Sequence, residues 1–139
     1  FLSLADRDKE IGIETASLLT KLGFTIAATR GTAAALTAAN IEVIDVIAKI
    51  GEKEGTTAIE LIESGEIRLV INSPRGRGPR ADGDHIRKAA AEQGIPLLTT
   101  ASAGLALAKG LIDWRSHTLR VRPLQHFNKK TSTQQRLEI

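Results

Sequence analysis

Hydrophobic positions switch along the chain between short β-like runs and amphipathic helical stretches, the pattern of an α/β domain built on a parallel sheet. Buried strands are predicted over residues 1–4, 24–29, 41–47, 67–72 and 95–99, and an edge strand over 118–121. The run Ile67-Arg68-Leu69-Val70-Ile71-Asn72 is the nearest to continuously apolar, as expected of a strand covered on both faces. Helices fill the intervals. The first opens at Asp6-Arg7-Asp8-Lys9, carries the stripe Ile11, Thr15, Leu18, Leu19 and Leu22, and ends at Gly23. A short alanine-rich helix runs from Gly31-Thr32 to near Asn40. A third covers 56–64 with Ile59 and Ile62 inward and Gly65 behind it. A fourth begins near Asp82, turns Ile86 and Ala90 to the sheet and closes at Gly94, and a fifth covers 102–111. Neither an internal repeat nor a low-complexity tract interrupts the pattern.

Length and composition narrow the class. A chain of 139 residues, 42% hydrophobic and 25% charged, fits one domain. At this size roughly two-thirds of the unfolded surface is buried on folding, so neither disulfides nor a structural metal is required. The absence of cysteine excludes a cysteine nucleophile, a thiolate zinc site and an iron–sulfur cluster. Met is absent too, even at position 1, and we read the chain as a piece of a longer product. No apolar run reaches the length of about 18 residues needed to span a bilayer, and residues 1–9 turn from apolar to charged too soon for a signal peptide. A cytoplasmic setting without membrane contact is expected.

The net charge of +3 is unevenly placed. Residues 113–139 hold six basic side chains (Arg115, Arg120, Arg122, Lys129, Lys130, Arg136) against Asp113 and Glu138, whereas residues 1–112 carry 13 basic and 14 acidic groups. Residues 1–125 are expected to form the domain, and 126–139 a mobile, polar and basic tail. A near-neutral body with 3% aromatic residues lacks the basic face and the stacking platforms of a nucleic-acid binder.

In an open parallel sheet, ligands bind beyond the carboxyl ends of the strands, where helix amino termini converge. The segments that leave the strands here are 6–9, 29–32, 47–49, 72–77 and 99–102, rich in hydroxyls, amides and cations. Thr29-Arg30-Gly31-Thr32 is the sharpest of them. Gly31 lets the backbone approach a ligand, and Thr29 and Thr32 offer hydroxyls beside helix N–H groups, although a Thr N-cap and a tight turn account for the same residues. Lys9 and Lys49 either add positive charge to this edge or are solvated surface lysines. The Asn72 amide, ending a buried strand, either recognises a base or sugar or closes a turn. Arg75, Arg77 and Arg80 lie in a Gly/Pro loop that closes over a phosphate or is simply a charged mobile loop. His85, His117 and His126 have no metal-ligand spacing and read as solvent-facing or structural, so no metal site is predicted. The chain has no G-x-S-x-G elbow, P-loop or G-x-G-x-x-G fingerprint.

Four segments carry a resemblance when read together. Phe1-Leu2-Ser3-Leu4-Ala5-Asp6-Arg7-Asp8-Lys9, Ala28-Thr29-Arg30-Gly31-Thr32, Asn72-Ser73-Pro74-Arg75-Gly76-Arg77 and Asp84-His85-Ile86-Arg87-Lys88-Ala89-Ala90 resemble, in order from residue 1 to about 125, the C-terminal regulatory domain of the carbamoyl-phosphate synthetase large subunit. This is the methylglyoxal-synthase-like (MGS-like) domain. The resemblance implies a three-layer α/β sandwich, Rossmann-like, on a five-stranded and mainly parallel sheet. It implies a site for a UMP- or IMP-type effector that controls carbamoyl phosphate synthesis for pyrimidine and arginine biosynthesis. On it, Lys9, Thr29, Thr32 and Lys49 match phosphate positions, Asn72 matches a ribose- or base-facing position, the pair Thr99-Thr100 also matches, and Arg75 and Arg77 are loop contacts. No catalytic residue is implied, and no cofactor in this domain. ATP and a divalent metal belong to the synthetase domains outside it. The implied partners are those domains and the glutaminase small subunit, with self-association left open.

Two departures bear on the effector. Bacterial relatives often carry threonine two residues after the asparagine, where Pro74 here removes a hydroxyl and a backbone donor. Relatives that bind N-acetylglutamate carry an aromatic residue where Lys49 stands, and a lysine there favours a phosphate-bearing effector; Trp114 is too far along the chain to replace it. Two alternatives remain. A free-standing methylglyoxal synthase needs a carboxylate base after a Gly-Gly pair and a histidine near the fourth helix, where this chain has Gly55-Thr56-Thr57 and Asp82. A docking or oligomerisation module would instead have no reason to bind a mononucleotide.

Overall fold

The computed structural model describes residues 1–48, 56–73, 81–118 and 120–125, with residues 81 and 82 described by their backbone alone. Five parallel strands form one sheet: β1 (Leu2–Ser3), β2 (Ala27–Thr29), β3 (Asp45–Ile47), β4 (Val70–Asn72) and β5 (Leu97–Leu98), in the order β3-β2-β1-β4-β5. Leu2 is in register with Ala28 on one side and Ile71 on the other, and Ser3 with Asn72. The helices are α1 (Lys9–Lys21), entered through a 3-10 turn at Asp6–Asp8, then α2 (Arg30–Ala38), α3 (Ala58–Glu63), α4 (Ala81–Glu92) and α5 (Ala101–Ser116).

Alternation along the strands divides the core between the two faces of the sheet. Ala28 and Ile71 join Leu4, Ala16, Leu36 and Ala108 in a cluster beneath α1, α2 and α5. Ala27 and Val70 join Ile47, Leu61, Ile62, Ile86 and Ala90 beneath α3 and α4. The three-layer α/β reading is therefore correct, and so are the inward placements of Ile62, Ile86 and Ala90, while Ile59 is half-buried. Helix-to-sheet contact is close where glycine allows it. A Cβ on Gly104 would stand 2.8 Å from Ile71 Cδ1, so α5 rests directly on β4. The stripe of α1 buries Thr15 and Leu19, with Gly12 and Ala16 where the sequence alone favoured bulkier neighbours.

The breaks were also well placed. Gly23, Gly65 and Gly94 follow α1, α3 and α4 with φ of 92°, 79° and 64°, the left-handed conformation that glycine adopts without steric cost. Thr57 and Glu60 form a capping box on α3, each side chain serving the other's backbone N–H, which starts that helix after residue 57 rather than at 56. The strands are shorter than their apolar runs: in β2, β3 and β4 only the carboxyl-terminal part pairs, and in β1 and β5 only two central residues do. Residues 118 and 120–121 form no strand, and the sheet ends at β5; Val121 is fully exposed, so no neighbour is there to receive a ladder. α5 runs on to Ser116, beyond the predicted end at 111. Among the described residues no helix is long and apolar enough to cross a membrane.

Strand order fixes where a site can form. From β1 the chain steps outward through α1 to β2 and through α2 to β3, then crosses back past β1 by way of α3 to reach β4 on the other side. The direction of winding reverses between β1 and β4, which leaves a crevice beyond their carboxyl ends.

Candidate functional site at the carboxyl ends of β2, β1 and β4

Three segments converge on this crevice: the start of α2 after β2, residues 4–9 after β1, and Asn72-Ser73 at the end of β4. They are stitched together by hydroxyls. Thr32 Oγ1 accepts the Leu4 N–H at 3.0 Å, tying α2 to the end of β1. Ser73 Oγ accepts the Ala5 N–H at 3.0 Å, tying β4 to the same turn. Both hydroxyls are buried, and both satisfy backbone donors that the departing chain takes out of the sheet ladder. Thr32 thus frames the crevice from inside. Ser73, which sequence reasoning did not single out, does the same from β4, and its only signal was a hydroxyl directly after a buried strand.

Thr29 occupies the N-cap position of α2 in extended backbone (φ −63°, ψ 149°), yet its hydroxyl makes no cap hydrogen bond. It donates instead to Thr32 Oγ1 at 3.2 Å. The first turn of α2 is therefore left without the side-chain cap that a threonine there would supply, and the plain N-cap reading of this residue does not hold. Gly31 lies inside the helical turn rather than in a tight turn before it. Lys9 opens α1 with its side chain mostly covered, and its ammonium pairs with Asp6 at 2.8 Å. Asn72 is 5% exposed at the end of β4. Gly83 and Arg87 of α4 approach it: a Cβ on Gly83 would lie 3.5 Å from Asn72 Nδ2. The Asp84/Arg87 spacing, an i,i+3 ion pair at 3.3 Å, was the one local sign of that contact.

The pair Thr99-Thr100 lies one strand further out, after β5, and both residues are exposed. Thr100 is the N-cap of α5 and accepts the Ala103 N–H at 3.2 Å. Lys49, Pro74, Arg75, Arg77 and Arg80 lie outside the described residues, as do His126 and the whole of 126–139. His85 and His117 are exposed, in agreement with a solvent-facing reading. Two titrating groups are displaced. Burial pushes the Phe1 ammonium down from 8.0 to about 5, its hydrogen bond to the Leu69 carbonyl notwithstanding. The Thr57 backbone N–H and then its hydroxyl hold the exposed Glu60 carboxyl below its ordinary value.

Two cavities open at the other end of the sheet. One, of about 260 Å³, is lined by Phe1, Phe24, Ile26, Leu61 and Leu69 among others, and the second by Ser17, Asn40, Ile41 and Ile44 among others. Concavity and polar chemistry are thus at opposite edges. The carboxyl edge is the candidate site, because the helix start without a side-chain cap, Lys9 and the buried Asn72 are there.

The family model for the MGS-like domain matches residues 12–99. The chain belongs to this family. The carbamoyl phosphate synthase large chain of Synechocystis is 35% identical over 127 residues, covering 91% of this chain and 12% of the relative. The C-terminal section of the carbamoyl phosphate synthase large chain of Methanocaldococcus jannaschii is 39% identical over 111 residues, 80% of this chain and 18% of the relative. The large chain of Micrococcus luteus is 38% identical over 128 residues, 90% of this chain and 12% of the relative. This MGS-like domain therefore spans between about one-eighth and one-fifth of the length of these relatives, and the family match takes in Thr29, Thr32, Asn72, Ser73 and Thr99 while residues 4–9 and Thr100 fall outside it.

Proposed function

We propose that this MGS-like domain is the regulatory domain of a carbamoyl phosphate synthase large chain, and that it binds a nucleoside monophosphate at the carboxyl edge of its sheet without turnover of its own. The observation that carries the reading is the threonine at the start of α2 whose hydroxyl turns away from the cap, on the strand next to β1 and two strands from a buried asparagine. An anion suits such a helix terminus, since the backbone N–H groups and the helix dipole both favour negative charge. Lys9 and Thr29 receive the phosphate, with Lys49 as the further cation, and Asn72 takes the nucleoside. The names of the relatives support the same setting. The domain then works in the cytoplasm with the synthetase domains and the glutaminase subunit, and those other domains hold ATP and its metal. An effector shifts the synthetase only by its differential affinity for two conformations, typically ~1–3 kcal/mol of coupling.

Calorimetric titration with UMP, IMP and inorganic phosphate tests this. Binding of both nucleotides more tightly than phosphate is expected, with Lys49→Ala weakening UMP by roughly ten- to a hundredfold. Absence of nucleotide binding, or formation of methylglyoxal from dihydroxyacetone phosphate by the purified chain, would overturn it.

A further inference from the structure

We infer that Ser73 is a positioning residue for the phosphate half of the site: its hydroxyl, spent on the Ala5 N–H rather than on a ligand, decides where Lys9 stands relative to the start of α2. The inference rests on the mononucleotide reading above. Ser73 directly follows Asn72 at the end of β4 and is 4% exposed. Its backbone N–H donates to the Ser3 carbonyl at 2.9 Å and its Oγ accepts the Ala5 N–H at 3.0 Å, so one residue holds the chain on both sides of Leu4. The Ala5 carbonyl in turn accepts the Asp8 N–H at 3.0 Å, which closes the 3-10 turn leading into α1.

A chain that leaves a sheet can swing about its last bonded residue. Here two consecutive amides are caught from opposite sides of β1, Leu4 by Thr32 Oγ1 of α2 at 3.0 Å and Ala5 by Ser73 Oγ after β4. One bond would fix a point, and two fix a direction. Helix α1 inherits that direction, because a Cβ on Gly12 would collide with Leu4 Cδ1, so the first turn of the helix rests on a residue that these ties hold. Lys9 opens that turn, and its ammonium is drawn to Asp6 at 2.8 Å within the 3-10 turn, so its place follows the backbone of residues 5–8. Thr29 is carried by β2 and α2 and has no such dependence. A charge-assisted hydrogen bond weakens steeply with misplacement, so the Lys9 contact is the one that Ser73 controls. Two neighbours on β4 thus serve opposite halves of the ligand, Asn72 the nucleoside directly and Ser73 the phosphate through Lys9.

Calorimetry on the chain with inorganic phosphate and UMP tests the assignment. Ser73→Ala is expected to weaken both ligands by the same factor, roughly tenfold, so that their ratio stays level. Ser73→Thr keeps the oxygen acceptor and should restore both affinities. In a Lys9→Met background the Ser73→Ala change should cost nothing further, a non-additivity that a general loosening of the fold does not produce. Ser73→Cys, a weaker acceptor of similar size, should show a smaller loss of the same kind and serves in place of alanine if that variant does not fold. Phosphate binding unchanged in the alanine or cysteine variant, a loss confined to UMP, or losses that add to those of Lys9→Met would overturn the inference and leave the mononucleotide reading standing. Wild-type binding of phosphate with no preference for UMP sinks the mononucleotide reading alone, since the Ser73 variants are then read on phosphate. If wild type binds neither ligand, both fall.

Discussion

At the amino ends of the strands, Phe1, Phe24, Ile26 and Leu69 line a cavity with Asp45, Glu66 and Arg68, and there the Phe1 ammonium is stripped of water and meets a single backbone carbonyl. At the carboxyl ends there is less hollow and more chemistry: a helix start without its side-chain cap, a lysine paired with Asp6, and a buried asparagine. The contrast teaches that polar groups gathered at strand ends mark a site better than empty volume does, because hydroxyls, amides and cations give a ligand directional partners that an apolar hollow lacks. Threonine makes the same point within the carboxyl edge. Thr29 and Thr100 both precede helices there, but Thr100 spends its hydroxyl on the Ala103 N–H while Thr29 does not cap at all.

The largest test of the contrast is at the amino end. In a chain whose amino group is free at Phe1, the folded state disfavours the ammonium, so unfolding takes up a proton between pH 8 and pH 5. Stability is then complete above pH 8 and falls as the pH drops to about 5, by up to about 4 kcal/mol. Urea unfolding across that range should show this slope, and acetylation of the amine should flatten it. A free amine with no slope would mean that water reaches Phe1 and that the two ends are equally wet.

Next in size is Thr32→Val, which keeps the shape and strands the Leu4 N–H. A loss of about 1–3 kcal/mol in chemical unfolding is expected, alongside weaker nucleotide binding, because the same hydroxyl anchors Thr29. Thr100→Ala should cost about 1 kcal/mol of stability, as removal of an N-cap usually does, and leave UMP affinity where it was. Thr29→Ala should reverse that signature, costing less stability than Thr100→Ala but roughly tenfold or more in affinity. If the two threonine variants behave alike, the distinction between a committed and an uncommitted hydroxyl is lost. The smallest effect on stability is expected of Lys9→Met: the Asp6 ion pair is largely exposed on one side and contributes under about 1 kcal/mol, so calorimetry rather than melting should register the change.

Much of this protein is written locally. The alternation of 3.6- and 2-residue periods determined five strands and five helices in the right order, and glycines 23, 65 and 94 marked helix ends because no other residue enters the left-handed region so freely. The edge strand at 118–121 failed for an equally physical reason: a β-prone run becomes a strand only where a neighbour offers a ladder, and β5 closes the sheet. The residue types of the site were visible too, since threonine, lysine and asparagine at strand ends suit an anion and a nucleoside.

Their commitments were not visible. Thr32 serves Leu4 across 28 residues and Ser73 serves Ala5 across 68. Nothing in the sequence ranks those hydroxyls differently from that of Thr29. Likewise, the strand order β3-β2-β1-β4-β5 sets Thr29 and Asn72 two strands apart and the fold brings Gly83 against the amide, although 43 positions separate residues 29 and 72 in the chain. Hydrogen-bonding capacity belongs to a residue, but whether that capacity is spent depends on which backbone the fold brings within 3 Å of it, and long-range pairing alone decides that.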